Sequence, residues 1–167
     1  RATPGGAQVA GGYMKINNSG TEADRLTGGR FPNETRFDIH LLTTRLEAIA
    51  RWLRSRPETR DLPIGLFGAS TGAAAALEVA AGLGDRIASV VSRGGRPDLA
   101  RDVLGRVVSP TLLIVGGEDH GVIGLNQAAF EALRCGKELR IIPGATHLFE
   151  EPGALEQIYC HPTFAPQ

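Results

Sequence analysis

The sequence predicts an α/β fold, a three-layer sandwich on a mostly parallel sheet. Short apolar runs alternate four times with stretches of helical periodicity, the signature of strand-helix units. The runs are continuously apolar rather than alternating, as strands buried on both faces should be. One of them, Ile64 to Phe67, runs through Gly68-Ala69-Ser70-Thr71-Gly72 straight into the Ala-rich stretch Ala73 to Ala76. That succession is a strand, a sharp turn and a helix.

Taken in order, residues 1–36 are poorly patterned, with Gly5-Gly6, Gly11-Gly12 and Asn17-Asn18 and room for one short strand near 12–16. From 37 to 158 the pattern is that of a core, and the 167 residues read as a single domain. Ile39, Leu42, Leu46, Ile49 and Leu53 recur at spacings of three and four, which places one apolar helix face before Pro57. The strand at 64–67 leads to the Ser70 helix, which should stop near Gly82-Leu83-Gly84. A second strand, 87–91, leads through Gly94-Gly95-Arg96-Pro97-Asp98 to a short helix over 99–104 with Asp98 as its N-cap. A third, 111–115, leads through Gly116-Gly117-Glu118-Asp119 to a helix bearing Ile123, Ala129, Phe130 and Leu133. The fourth, 139–142, leads through Pro143-Gly144-Ala145-Thr146-His147 to a helix over 152–159 that Pro162 ends.

Composition removes several classes of function. The 18 basic and 18 acidic residues balance, so no electrostatic footprint for nucleic acid or an anionic membrane is expected. Cys135 and Cys160 stand far apart without a histidine cluster, which indicates neither a disulfide framework nor a metal site. No apolar run is long enough to span a bilayer and no signal sequence is evident, so a cytoplasmic location is expected.

In parallel sheets the functional residues gather at the carboxyl ends of the strands. Three strands here end with Ser70, Asp119 and His147 in that chain order. A serine hydroxyl becomes a useful nucleophile when an imidazole takes its proton, and a carboxylate on the far ring nitrogen fixes the tautomer. Ser70 is read as nucleophile, His147 as general base and Asp119 as the orienting acid. The backbone N–H of Thr71, at a helix N-terminus, would be one donor to the oxyanion.

Bland readings stand beside these. With 22 glycines in the chain, the pentapeptide alone is weak, and Ser70 could simply cap its helix. Gly65, Gly68 and Gly72 could form a dinucleotide loop, but the next strand runs into Ser92-Arg93-Gly94 where that site wants an acid. Glu118 and Asp98 are rivals of Asp119, and His120 is a rival of His147, while His40 and His161 read as surface residues. Gly68 and Gly72 are both expected to lack side chains for steric reasons.

Together Gly68-Ala69-Ser70-Thr71-Gly72, Ser92-Arg93-Gly94-Gly95-Arg96-Pro97-Asp98, Gly116-Gly117-Glu118-Asp119 and Gly144-Ala145-Thr146-His147-Leu148-Phe149 resemble the dienelactone-hydrolase-like branch of the α/β-hydrolase superfamily. Members of that set are sometimes fused to or found beside phosphoribosyltransferases. The resemblance covers roughly 34–158 and implies an α/β-hydrolase fold, a Ser70, Asp119 and His147 triad, a small-molecule ester substrate and no cofactor. It does not imply a dienelactone substrate, because dienelactone hydrolases proper carry cysteine at the position of Ser70. Against the eight or so strands usual in the superfamily, the four strands read here lead to the expectation of a fold shortened at its N-terminus. The loop that supplies the second oxyanion donor would fall there, with Gly11-Gly12 as its only candidate. An apolar sheet edge at 64–67 would be left open, which predicts a homo-oligomer pairing through that edge. A catalytically weak binding or regulatory module and an acyl transferase are the alternatives to an esterase.

Overall fold

The structure, a computed structural model, describes residues 34–159 and the side chains of 39–158. The expected strand near 12–16, Gly11-Gly12, Cys160, His161 and Pro162 lie outside the described residues. Four strands, β1 Gly65–Ala69, β2 Ser89–Arg93, β3 Thr111–Gly116 and β4 Lys137–Ile142, make one parallel sheet in the order β1-β2-β3-β4. The helices are α1 Glu34–Ser55, α2 Thr71–Leu83, α3 His120–Ala132 and α4 Ala154–Tyr159. None of them is long and apolar enough to cross a membrane.

Alternation along each strand sorts the side chains between the two faces. Leu66, Val90 and Leu113 point into a core shared with α1, α2 and α3. Within it Ala74 and Ala76 of α2 have no exposed surface, because their small side chains let the helix lie close on the strands. Leu77 is fully buried beside them and by area alone contributes about 2 kcal/mol. The opposite face carries Val91, Leu112 and Ile114, covered by Phe149, Ala154 and Ile158 of the last loop and α4. Helices thus lie on both faces, with the three longer ones on one side.

The register aligns Phe67 with Val91, Val91 with Leu112 and Leu112 with Glu138 across the thinly covered face. Phe67 on the edge strand β1 is 63% exposed. β4, at the other edge, begins two residues earlier than the apolar pattern suggests and carries Lys137, Glu138 and Arg140. Lys137 donates to the Phe130 and Leu133 carbonyls at the end of α3, and Arg140 pairs with Glu138 at 3.6 Å, so charged side chains with their own partners interrupt the apolar pattern.

Two local expectations are corrected. The helix expected over 99–104 is two short 3-10 turns, Pro97–Ala100 and Leu104–Arg106. Asp98 does not cap: it lies inside the first turn, and its carboxylate takes the Arg96 guanidinium in two bonds of 2.8 and 2.9 Å.

Candidate active site

Ser70 follows β1 with φ 50° and ψ −125°, a backbone region that residues with a Cβ rarely occupy. The turn is held from several directions. Its N–H donates to the Arg93 carbonyl at 3.3 Å, and its own carbonyl accepts from Ala73 N–H at 3.2 Å and Arg96 N–H at 3.0 Å. Ser70 occupies the N-cap position of α2 but its hydroxyl makes no capping bond, so capping is not what the side chain does there. Gly68 is required by close approach, since a Cβ would overlap the backbone of Gly72 and Ala73. Gly72 is not: among the described residues nothing lies within 4 Å of a Cβ built there, which corrects the expectation that both glycines are sterically needed. Thr71 opens α2, and its N–H donates to no backbone carbonyl among the described residues.

The other two residues come together across the ends of β3 and β4. The chain after β4 folds over the end of β3, where Gly117 N–H donates to the Ile142 carbonyl at 2.8 Å and Glu118 N–H to the Ala145 carbonyl at 3.0 Å. This crossing needs a bare backbone, for a Cβ at Gly116 would overlap the carbonyls of Ala145 and Thr146. It sets His147 Nδ1 2.6 Å from Asp119 Oδ2. Asp119 is the N-cap residue of α3, yet its carboxylate makes no capping bond and turns to the imidazole instead. The Asp119 side chain is 12% exposed and that of His147 40%, so the pair is screened on the acid side and open on the base side. Nδ1 bound to a carboxylate leaves Nε2 as the nitrogen free to accept a proton. Ser70 Oγ and His147 Nε2 both have no partner among the described residues.

The rivals lie elsewhere. Glu118 and His120 face each other at 3.5 Å on an open surface, with side chains 57% and 78% exposed. Asp98 is committed to Arg96, which holds its carboxyl below the ordinary value and pushes the guanidinium up in turn. His40 is exposed on α1. Among the described residues no group of three or more His, Cys, Asp or Glu could hold a metal ion.

Sequence reasoning missed the residues that join the turns. Gly94, with φ 51°, lies so close under His147 that a Cβ would stand 3.2 Å from its carbonyl and 3.4 Å from Nδ1. Arg93 Nη1 donates to the Leu148 carbonyl at 3.3 Å, with the guanidinium 5.3 Å from the centre of the Phe149 ring. Asn126 of α3 is fully buried and donates to the Gly95 and Val122 carbonyls at 3.0 and 2.9 Å. Hydrogen bonding from the Thr146 hydroxyl, and after it from the main-chain N–H groups of Glu151 and Thr146, holds the Glu151 carboxyl below its usual range. The one available signal was the Arg-Gly-Gly-Arg run at a strand end.

The dienelactone hydrolase family model matches residues 15–159. Two strains of Mycobacterium tuberculosis carry a relative 54% identical over 151 residues, which covers 81% of this chain and bears the name "Putative phosphoribosyl transferase". The chain spans only 34% of the length of these relatives. Among solved structures, a dienelactone hydrolase from Anabaena variabilis superposes with a TM-score of 0.72 at 54% identity, over 75% of this chain and 58% of that one. Est1E from Butyrivibrio proteoclasticus gives a TM-score of 0.63 at 16% identity over 72% and 65% of the two chains, a likeness of fold alone.

Proposed function

This chain belongs to the dienelactone hydrolase family, and from that premise we propose that it is a serine hydrolase of small carboxylic esters working through an acyl-enzyme. The observation that carries the reading is the 2.6 Å pairing of His147 Nδ1 with Asp119, at the same end of the sheet as the strained Ser70 turn. His147 Nε2 takes the Ser70 proton as Oγ attacks the ester carbonyl. The tetrahedral oxygen draws on Thr71 N–H, where the start of α2 also favours negative charge. Collapse expels the alcohol, which receives the proton from His147, and water then repeats the cycle on the acyl-Ser70 ester. Asp119 stays ionised and stabilises the imidazolium while it exists.

Short acyl chains belong to this reading, since the sequence has no evident long lid segment. We assign the transferase named for the mycobacterial relatives to the larger part of their length, which this chain does not match. A cytoplasmic location, and a second copy pairing along β1, which has one strand neighbour among the described residues, belong to the same reading.

The test is exposure to a fluorophosphonate, followed by mass mapping of the adduct in the intact protein and in His147→Ala. An adduct on Ser70 that forms far more slowly in His147→Ala is the expected result. A folded protein with no adduct at Ser70 overturns the reading and leaves a binding or regulatory module. Turnover of a p-nitrophenyl ester that survives Ser70→Ala would show a different nucleophile.

A further inference from the structure

We infer that Arg93 is a positioning residue that ties the nucleophile turn to the histidine loop, an inference that rests on the proposed Ser70 and His147 roles. It is joined to both sides. Its main-chain carbonyl accepts the Ser70 N–H at 3.3 Å, which helps hold the turn at its unfavourable dihedrals. Its side chain reaches the other way and donates to the carbonyl of Leu148, the residue after His147. The guanidinium lies 5.3 Å from the centre of the Phe149 ring, and Phe149 is itself fixed, fully buried at φ 57°.

The next residue shows how closely this joint is fitted. Gly94 N–H donates to the Ile114 carbonyl at 2.7 Å, and the His147 ring packs over its bare Cα. A shift of the strand end would therefore move the ring, and a shift of the loop would press on the strand. Arg93 is free for this task because it makes no ion pair among the described residues, whereas Arg96 three positions on is committed to Asp98. A planar guanidinium can stack on a ring and donate in its own plane at the same time, which an ammonium cannot.

The chemistry expected of such a joint is orientation without substrate contact. Misplacing a base by about 1 Å costs on the order of a hundredfold in rate. Arg93→Met keeps the apolar stem but removes both the donor and the stacking plane. It should lower kcat about 10- to 100-fold with KM within about twofold, and slow fluorophosphonate labelling of Ser70 by the same factor. Arg93→Lys, which can still donate to the Leu148 carbonyl, should recover part of the loss.

A second readout does not depend on turnover. The His147 Nδ1 proton held by Asp119 should give a far-downfield NMR resonance, assigned by its loss in His147→Ala, and Arg93→Met should broaden it while the protein stays folded by circular dichroism. Arg93→Met with unchanged kcat and an unchanged imidazole resonance overturns the inference. A raised KM at constant kcat also overturns it, by making Arg93 a substrate contact. A wild-type protein without Ser70 labelling would defeat the esterase reading alone, and the resonance would still decide whether Arg93 orients the ring.

Discussion

The Ser70 turn and the His147 loop sit at the same end of the sheet and are built in opposite ways. The first is local. Its strain, the contact that demands Gly68, and the start of the helix that follows all lie between Gly68 and Ala73, and among the described residues the turn's backbone takes outside hydrogen bonds from the carbonyl of Arg93 and the N–H of Arg96. The second is held almost wholly from a distance, by Asp119 and Gly116 at the end of β3 and by Arg93 and Gly94 at the end of β2. A nucleophile can be strained by its own neighbours, whereas a base that must swing a proton between partners is aligned by whatever it crosses.

The sharpest break in this contrast should come at the distant partner. Asp119→Asn leaves the shape intact but favours the wrong tautomer of His147, and should lower kcat on a short ester by about 10⁴-fold with an unchanged melting temperature. Loss below about tenfold would remove Asp119 from its assigned role. Next come the two glycines of close approach. Gly116→Ala forces its Cβ into the carbonyls beneath the His147 loop, and Gly68→Ala forces one into the turn. Each should cost about 2–4 kcal/mol in urea unfolding, since backbone must give way on one side. If the contrast holds, Gly116→Ala will disturb the His147 imidazole resonance and Gly68→Ala will not.

Smaller effects separate strain from function within the turn itself. Ser70→Gly removes the Cβ from an unfavourable backbone and should stabilise the protein by about 1 kcal/mol while abolishing activity. Gly72→Ala has open space and a helical site, and should stabilise by up to about 1 kcal/mol with activity retained. The smallest effect concerns acid. Because Arg96 holds the folded Asp98 carboxyl below its ordinary 3.8, the pair stabilises above that pH and the contribution fades as pH falls toward the folded value. Asp98→Asn should therefore lower stability at pH 7, where the pair contributes fully, and flatten the fall in stability as pH drops below about 4, as read by urea midpoints across that range.

Legibility in the sequence followed the same division. The strands and the longer helices were readable because periodicity is a local property, and Ser70 was readable because its turn is written in five consecutive residues. The Asp119 and His147 positions were readable from strand ends, though the bond between them depends on Gly116 allowing the loop to cross β3. Arg93 and Asn126 were not readable. The Arg93-Gly94-Gly95-Arg96 run marks an unusual strand end but does not say that the guanidinium meets a carbonyl 55 residues later. Asn126 sits mid-helix, where sequence alone suggests a solvated side chain rather than a buried one holding Gly95. The stretch after β2 has an apolar spacing that looks helical, but it is short enough for two 3-10 turns to satisfy the same spacing.

The order of the strands in the sheet is their order in the chain, and each joins the one made just before it. The described sheet is therefore a ribbon in which every parallel pairing closes a crossover of about twenty residues rather than a hairpin loop. The Ser70 turn belongs to the first unit of that ribbon and His147 to the last. The chemistry therefore depends on parts drawn from both ends of the described sheet.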